Sequence, residues 1–456
     1  MGTVVQLKNQ INDSYFQLKD SVEDKLVLTE EKIKSKLASD VELVQKMTDY
    51  HIQTGGKRLR ALLTLGSAKL CGYSKGSRDI NLAACVELIH SATLMHDDVI
   101  DEGTIRRGRD TLNKVWDNHS SVLIGDYLLS RCFEMMVEDG NLEVLKLLSS
   151  TSSKIAQGEV LQLQHKGEVD MLEETYLKII SAKTAELFAA ATKVGAILSD
   201  VDSKEKDALE FYGRNLGLTF QIADDTLDYN SDLKLFGKKI GQDFFEGKIT
   251  LPIILLFQKI DIEEKKLLTE FFKKDSREKD DFNKIIVLIK KYEIINECYQ
   301  KAQHYINLAS NSLTVFKDSK EKTILKGLNK EKALSKQDSI KMSQPDIEIY
   351  VKGPTAEQIQ GWLEQQFEHF EIRSQSAQRR TYIASWQGKN FEVMVLLKLQ
   401  NGYTSIWFNH PYLPWPDDRS CAKQALVELA SAGLGIRCIA SGWQEGDAPD
   451  RWLHID

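Results

Sequence analysis

Proline is nearly missing from most of this chain: of seven in 456 residues, only Pro252 comes before residue 344. Little there would break a long helix. Cysteine is sparse too. Cys71, Cys85, Cys132, Cys298, Cys421 and Cys438 are scattered and form no CxxC, which argues against a disulfide scaffold or zinc ribbon and for reduced thiols in a cytoplasmic protein. Long apolar runs are lacking. No segment approaches the roughly 18 residues that suggest a membrane span, the N-terminus has no signal-peptide core, and Gln6 stands where a myristoylation signal requires Ser or Thr. Basic excess is also absent: 60 Lys and Arg meet 67 Asp and Glu, a net charge of -7. With no long basic stripe, nucleic acid is not expected as a general partner.

The length exceeds what one core usually serves, and composition shows where it divides. Six of seven Trp and six of seven Pro follow residue 344, whereas the earlier part is rich in Lys, Ile, Leu and Asp. Residues 1–330 repeat apolar positions at three and four residue spacing, which predicts an all-α bundle around a central cavity. Its long helices are expected over 81–101, 120–137, 142–164, 175–198 and 204–229. Residues 331–344 lose the periodicity and read as a polar linker. Residues 345–456 read as a small α+β domain, and Met342 just ahead of it reads like the start of an independent protein, as if fused. IEIYVKG predicts a strand, and Thr355 with Gln358 a capping box. Three more strands follow with turns at Gln387-Gly388 and Asn401-Gly402, then a helix from Asp417 and a last strand over GIRCIAS, in the order βαβββαβ. The segment WFNHPYLPWPDD is expected as an exposed loop.

Two DDxxD motifs dominate the chemistry: Asp97, Asp98 and Asp101 in LMHDDVIDEG, and Asp224, Asp225 and Asp228 in QIADDTLDYN. Helix positions i and i+4 share a face, so Asp97 with Asp101 and Asp224 with Asp228 make paired carboxylates. Such hard oxygen ligands suit magnesium, which is usually held by one or two carboxylates together with substrate phosphates. A single DDxxD is commonly an exposed acidic cluster. Here, however, cations accompany both: GGKRLR at 55–60, Arg106 and Arg107 in TIRRGRDT, Lys183 and Thr184 in SAKTAELF, Gln221, Lys238, and Lys248 in GQDFFEGKITLP. Arg forks onto phosphate oxygens and Lys offers a point charge, while carboxylates reach phosphate only through metal. The set suggests two diphosphates, one held directly and one through Mg2+. His90 supports this, since positions 90, 97 and 101 fall within about 40 degrees on a helix.

With GGKRLRALL, LIHSATLMHDDVIDEGTIRRGRDT, IGDYLL, GEVLQL, KTAELF, GLTFQIADDTLDY and GKKIGQDFFEGKITLP in that order, residues of about 20–330 resemble a trans-isoprenyl diphosphate synthase. The resemblance is strongest to the long-chain bacterial octaprenyl type. It implies an isoprenoid synthase bundle, usually a homodimer, that joins isopentenyl diphosphate to an allylic diphosphate such as farnesyl diphosphate for quinone side chains. Lys57, Arg60, His90 and Arg107 would hold isopentenyl diphosphate. Asp97, Asp101 and Asp224, supported by Asp98, Asp225 and Asp228, would bind about three Mg2+ on the allylic diphosphate. Arg106, Lys183, Lys238 and Lys248 would contact that leaving group, with Thr184 and Gln221 against the allylic carbon. Ala92 and Thr93, below the first triad, would leave the product tunnel open, with a stop among Cys132, Phe133, Met135 and Met136. Contact with membranes would be peripheral, through the product. A class I terpene cyclase or a noncatalytic partner subunit of a heteromeric synthase are the alternatives. The cyclase needs no second-diphosphate site, and the partner subunit is expected to have lost part of a triad.

Overall fold

A computed structural model describes residues 13–53, 55–106, 109–230, 240–274, 276–328, 347–375, 379–386, 389–397, 404–409, 413–415, 418–429, 435–439 and 452–455. Chain contacts separate two compact units, dividing after Asp338. The expected linker at 331–344 and the turns at Gln387-Gly388 and Asn401-Gly402 lie outside the described residues.

The first unit is helical, as its periodicity and want of proline dictate. Helices α1 (Asp13–Ser21), α2 (Glu23–Lys36), α3 (Glu42–Gln53) and α4 (Leu59–Leu70) lead into α5 (Arg78–Ile100), which ends in the first triad. A two-stranded ribbon, β1 (Ile105–Arg106) with β2 (Arg109–Asp110), precedes α6 (Asn118–Asp139) and α7 (Leu142–Gln164). After α8 (Glu173–Ile180), a π-helical turn (Ser181–Ala185) and α9 (Glu186–Leu198) comes α10 (Ser203–Asp228), ending in the second triad. Among the described residues α11 (Gln242–Glu246), α12 (Leu251–Lys259), α13 (Ile262–Lys273), α14 (Lys279–Lys291) and α15 (Ile294–Ser312) follow, with a last helical stretch over 320–328. Helix α10 lies against α9 and α15, and α5 against α6. Burial of Leu, Ile, Val and Ala along these faces is the principal stabilising term.

One expected helix is interrupted. The span 175–198 bears an extra-residue π turn at Ser181–Ala185, a device that shifts the side chains beyond it and is frequent at functional sites. Periodicity over 24 positions cannot register one inserted residue, hence its invisibility in sequence. The turn presses on α7 at Gly158, where a Cβ would lie 2.8 Å from Ala182 Cβ and from the Lys183 backbone nitrogen. Only glycine permits that approach.

The second unit is an antiparallel sheet with two helices, α16 (Ala356–Gln366) and α17 (Asp418–Glu428). Its strands are β3 (Ile347–Lys352), β4 (His369–Gln375), β5 (Arg379–Trp386), β6 (Lys389–Leu396), β7 (Thr404–Asn409), β8 (Gly435–Ile439) and β9 (Trp452–Ile455), in the order β4-β5-β6-β7-β3-β8-β9. The α+β class is as expected, and Thr355 and Gln358 form the expected capping box. Strands β4 and β9 were not legible, because both are edge strands; exposed β4 shows no inward alternation. Within WFNHPYLPWPDD, Phe408 and Trp415 are buried and pack with Trp362 and Phe367. The expectation of an exposed loop fails there, since aromatic side chains in a small domain are drawn into the only core available.

Candidate active site

Both triads terminate long helices. Asp97, Asp98 and Asp101 close α5, Asp224, Asp225 and Asp228 close α10, and neither helix has a basic residue in its last turn. A helix C-terminus carries partial negative charge, so carboxylates there oppose the macrodipole, by about 0.3–1 kcal/mol each when exposed. The arrangement is unfavourable without cations.

Two lysines from other elements meet the first triad. Lys248 Nζ lies 2.6 Å from Asp101 Oδ2 and 2.7 Å from Glu246, in the segment that follows α11. Lys183, on the π turn, donates to Glu159 at 2.7 Å and Gln162 at 3.0 Å, both on α7, with Asp97 3.9 Å away. Beneath the second triad a chain of hydrogen bonds runs from the Thr184 hydroxyl to Gln221 Oε1 (2.7 Å) and from Gln221 Nε2 to Asp225 Oδ1 (2.7 Å). Tyr176 donates to the other Asp225 oxygen at 2.7 Å. Asp228 accepts the backbone N–H groups of Gly241 and Asp243, which turns the following segment back towards the cleft. A cavity lined by Gln162, Lys183, Thr184, Gln221, Asp243 and Lys248 opens over this chain.

Within each triad the members differ. Asp98 turns from the pair Asp97 and Asp101 and takes Arg106 at 2.7 Å, tying the ribbon to α5. Asp224 is exposed at the surface of α10, whereas Asp225 is buried. Loss of solvation raises the Asp97 carboxyl pKa, opposed by Lys183 and reinforced by Asp101. Desolvation likewise pushes Asp225 up to about 7, against the hydrogen bonds from Tyr176 and Gln221. Asp243 is driven well above the carboxylate range by burial beside Asp225 and Asp228. The charged forms of these carboxyls are thus disfavoured, a cost that a divalent cation would relieve.

Among the described residues, no three ligating side chains converge tightly enough to hold a metal alone. Magnesium retains waters and shares its ligands with phosphates, so paired carboxylates such as Asp97 and Asp101 are the donors it would use. The donor set fits the ion as a partner of bound diphosphate.

The described residues expected to hold a second diphosphate lie on α5 and on or just before α4. Lys57 is exposed just before α4, Arg60 stacks on the Phe188 ring at 4.6 Å, and His90 is half-buried on α5. Ala92 is fully buried, and the half-buried Thr93 donates its hydroxyl to the His90 carbonyl at 2.8 Å. Arg107 and Lys238 lie outside the described residues. Of the expected tunnel floor, Cys132, Met135 and Met136 are in the core, but Phe133 is half exposed and does not belong to it. On α6 it falls on the outer face, a phase that spacing alone left open. Sequence reasoning also passed over Glu159, Gln162, Tyr176, Asp243 and Glu246. The signal for Glu159 and Gln162 was GEVLQL, a motif noted without a role.

A family model described as polyprenyl synthetase matches residues 41–289, short of the second unit. Octaprenyl diphosphate synthase of Escherichia coli is 44% identical over 218 residues, 48% of this chain and 67% of that protein. All-trans-nonaprenyl-diphosphate synthase (geranyl-diphosphate specific) of Rhodobacter capsulatus is 36% identical over 294 residues, 64% of this chain and 90% of the other. Among solved structures, polyprenyl synthase from Caulobacter crescentus, complexed with calcium and isoprenyl diphosphate, aligns with a TM-score of 0.67 at 37% identity. That alignment covers 70% of this chain and 97% of the other.

Proposed function

The chain belongs to the polyprenyl synthetase family and is a trans-prenyltransferase, and from that premise we propose that it extends an allylic diphosphate, such as farnesyl diphosphate, with isopentenyl diphosphate into an octaprenyl-like all-trans product for a quinone side chain. The observation that carries this reading is the 2.6 Å contact of Lys248 with Asp101, which joins the segment after the second triad to the first. Carboxylates and cations from both halves of the bundle then face one anionic ligand.

Asp97, Asp101 and Asp224 would hold Mg2+, about three ions with the diphosphate oxygens. When bound, the metal supplies Lewis-acid charge that stabilises departing pyrophosphate. Lys183, Lys248 and Arg106 add fixed positive charge around the same leaving group, arranged before reaction and sheltered from water. Lys238 would join them. The allylic C–O bond breaks, pyrophosphate leaves with the electron pair, and the double bond of isopentenyl diphosphate forms the new C–C bond. The proton lost from that substrate passes to pyrophosphate, as the family mechanism has it. Thr184 and Gln221, locked together by their hydrogen bond, orient oxygens towards the carbon that gains positive charge. Lys57, Arg60, His90 and Arg107 would hold isopentenyl diphosphate.

Buried Ala92, and Thr93 with its hydroxyl turned to the backbone, favour an open path for a long product. The long-chain names of two relatives, octaprenyl and nonaprenyl, support the same reading. A second copy of this chain is the proposed partner: α6 exposes Leu123, Phe133 and Val137, and α7 exposes Leu142, Val160 and Leu163, an apolar face suited to dimer burial. No described helix is long and apolar enough to cross a membrane, and the product itself would provide peripheral contact. The free thiols Cys71, Cys85, Cys132, Cys298 and Cys421 suit a cytoplasmic setting.

Incubation with Mg2+, labelled isopentenyl diphosphate and farnesyl diphosphate, followed by product sizing, tests the proposal. Long polyprenyl chains are expected, and their loss on chelation. Absence of any elongated product would overturn it, and a cyclic hydrocarbon would point to the cyclase reading.

A further inference from the structure

Glu87 is a buried carboxylate beside a segment read as anion-binding, a placement that calls for a reason. It lies on α5, one turn before His90, and is only 4% exposed. Its Oε1 accepts the backbone N–H of Ala61 at 3.0 Å, and its Oε2 stands 4.0 Å from Arg58 Nη1. Ala61 is in the first turn of α4, where helical N–H groups have no partner of their own. The residue at the cap position, Arg58, adopts a left-handed conformation (φ 46) and makes no side-chain cap. Glu87 supplies from a neighbouring helix the cap that GGKRLR lacks.

A diphosphate nearby would be repelled by this carboxylate, and burial of a charge is costly unless it is paired and hydrogen-bonded. A Ser or Asp side-chain cap at position 58 would require an extended backbone, which its left-handed conformation (φ 46) does not provide. What Glu87 adds is registration, because the cap falls between the two cations and His90. Lys57 and Arg60 flank Arg58, and the Lys57 carbonyl is held on its other side by the Tyr15 hydroxyl at 3.0 Å. One side chain of α5 therefore fixes the start of α4 relative to His90 on its own helix. Resting on the reading of Lys57, Arg60 and His90 as the isopentenyl diphosphate grip, we propose that Glu87 is a positioning residue for that substrate: it sets the spacing between the α4 cations and His90 before the diphosphate arrives.

The test is steady-state kinetics on the full chain with each substrate varied in turn. Glu87→Ala should raise KM for isopentenyl diphosphate by about tenfold or more, the loss expected for one charge-assisted hydrogen bond, while KM for farnesyl diphosphate stays near the wild-type value. Glu87→Gln, which retains an acceptor for Ala61, should rescue most of the effect. Glu87→Asp, too short to reach, should not, and this contrast stands even where the Ala variant fails to fold. Parallel rises in both KM values with Gln no better than Asp would reduce Glu87 to a merely structural role and overturn the proposal. Lys57→Ala separates the two failures. If it raises KM for isopentenyl diphosphate and Glu87→Ala does not, the role of Glu87 falls alone. If Lys57→Ala leaves that KM unchanged, the underlying reading falls and takes this one with it.

Discussion

At the scale of single residues, the site is governed by which carboxylates hold a cation of the protein's own. Lys248 spans Asp101 and Glu246, and this company raises its affinity for the proton despite burial. Its charge is therefore permanent. Lys248→Met should lower kcat by about a hundredfold, in the range found for loss of one preorganised charge-stabilising donor, with product formation as the readout. Glu159 behaves differently. Burial and then Asp97 push its carboxyl up to about 7, against Lys183. A folded-state value above the unfolded one means stability that is full at acid pH and lost as pH rises through the window from about 4.5 to 7. Glu159→Gln cannot ionise and escapes this loss. In metal-free protein its stability relative to wild type should improve by on the order of 2 kcal/mol between pH 5 and pH 8; an unchanged difference in chemical denaturation would refute the assignment.

At the scale of elements, helix ends and one π turn set the geometry. The ends of α5 and α10 were legible, because the periodicity of residues 81–101 and 204–229 stops at the triads. That the segment after α10 returns to the end of α5, through Lys248 and Asp101, was not, since no local pattern encodes which segments converge. The approach of α7 to the π turn rests on Gly158. Gly158→Ala would force a Cβ to within 2.8 Å of backbone, so a loss of about 1–3 kcal/mol and displaced Lys183 are expected, seen as a lower Tm with a raised KM for the allylic substrate. Along α5, Ala92 is one position from Thr93 and fully buried below Asp97. Ala92→Phe should cut the product by several isoprene units on thin-layer analysis, with the first condensations retained. Unchanged length would place the tunnel wall elsewhere. Phe133, exposed on α6, should tolerate substitution without any change in product.

At the scale of the whole molecule, the two units differ in the way they are built. The first buries the faces of many helices around a polar cleft, and the second closes a seven-stranded sheet against two helices with a core of Trp362, Trp415, Phe367 and Phe408. We propose that residues 345–456 form a domain joined through 331–344, a segment of polar composition. Limited proteolysis should cut there first and leave two resistant fragments, with prenyltransferase activity in the larger. Rapid loss of activity on that cleavage would argue that the second unit takes part in catalysis.

The sequence by itself determined the helical class of the first unit, the mixed class of the second, and the place of the two triads at helix ends. Each of these is written in local terms: spacing of apolar residues, shortage of proline, carboxylates one helical turn apart. Tertiary structure alone decided that Lys248 meets Asp101, that Lys183 rests on Glu159 and Gln162, that Arg106 turns to Asp98, and that Glu87 caps a helix other than its own. Those contacts join segments far apart in the chain, and their partners are selected by packing and by the mutual relief of buried charge, which no short stretch of residues specifies.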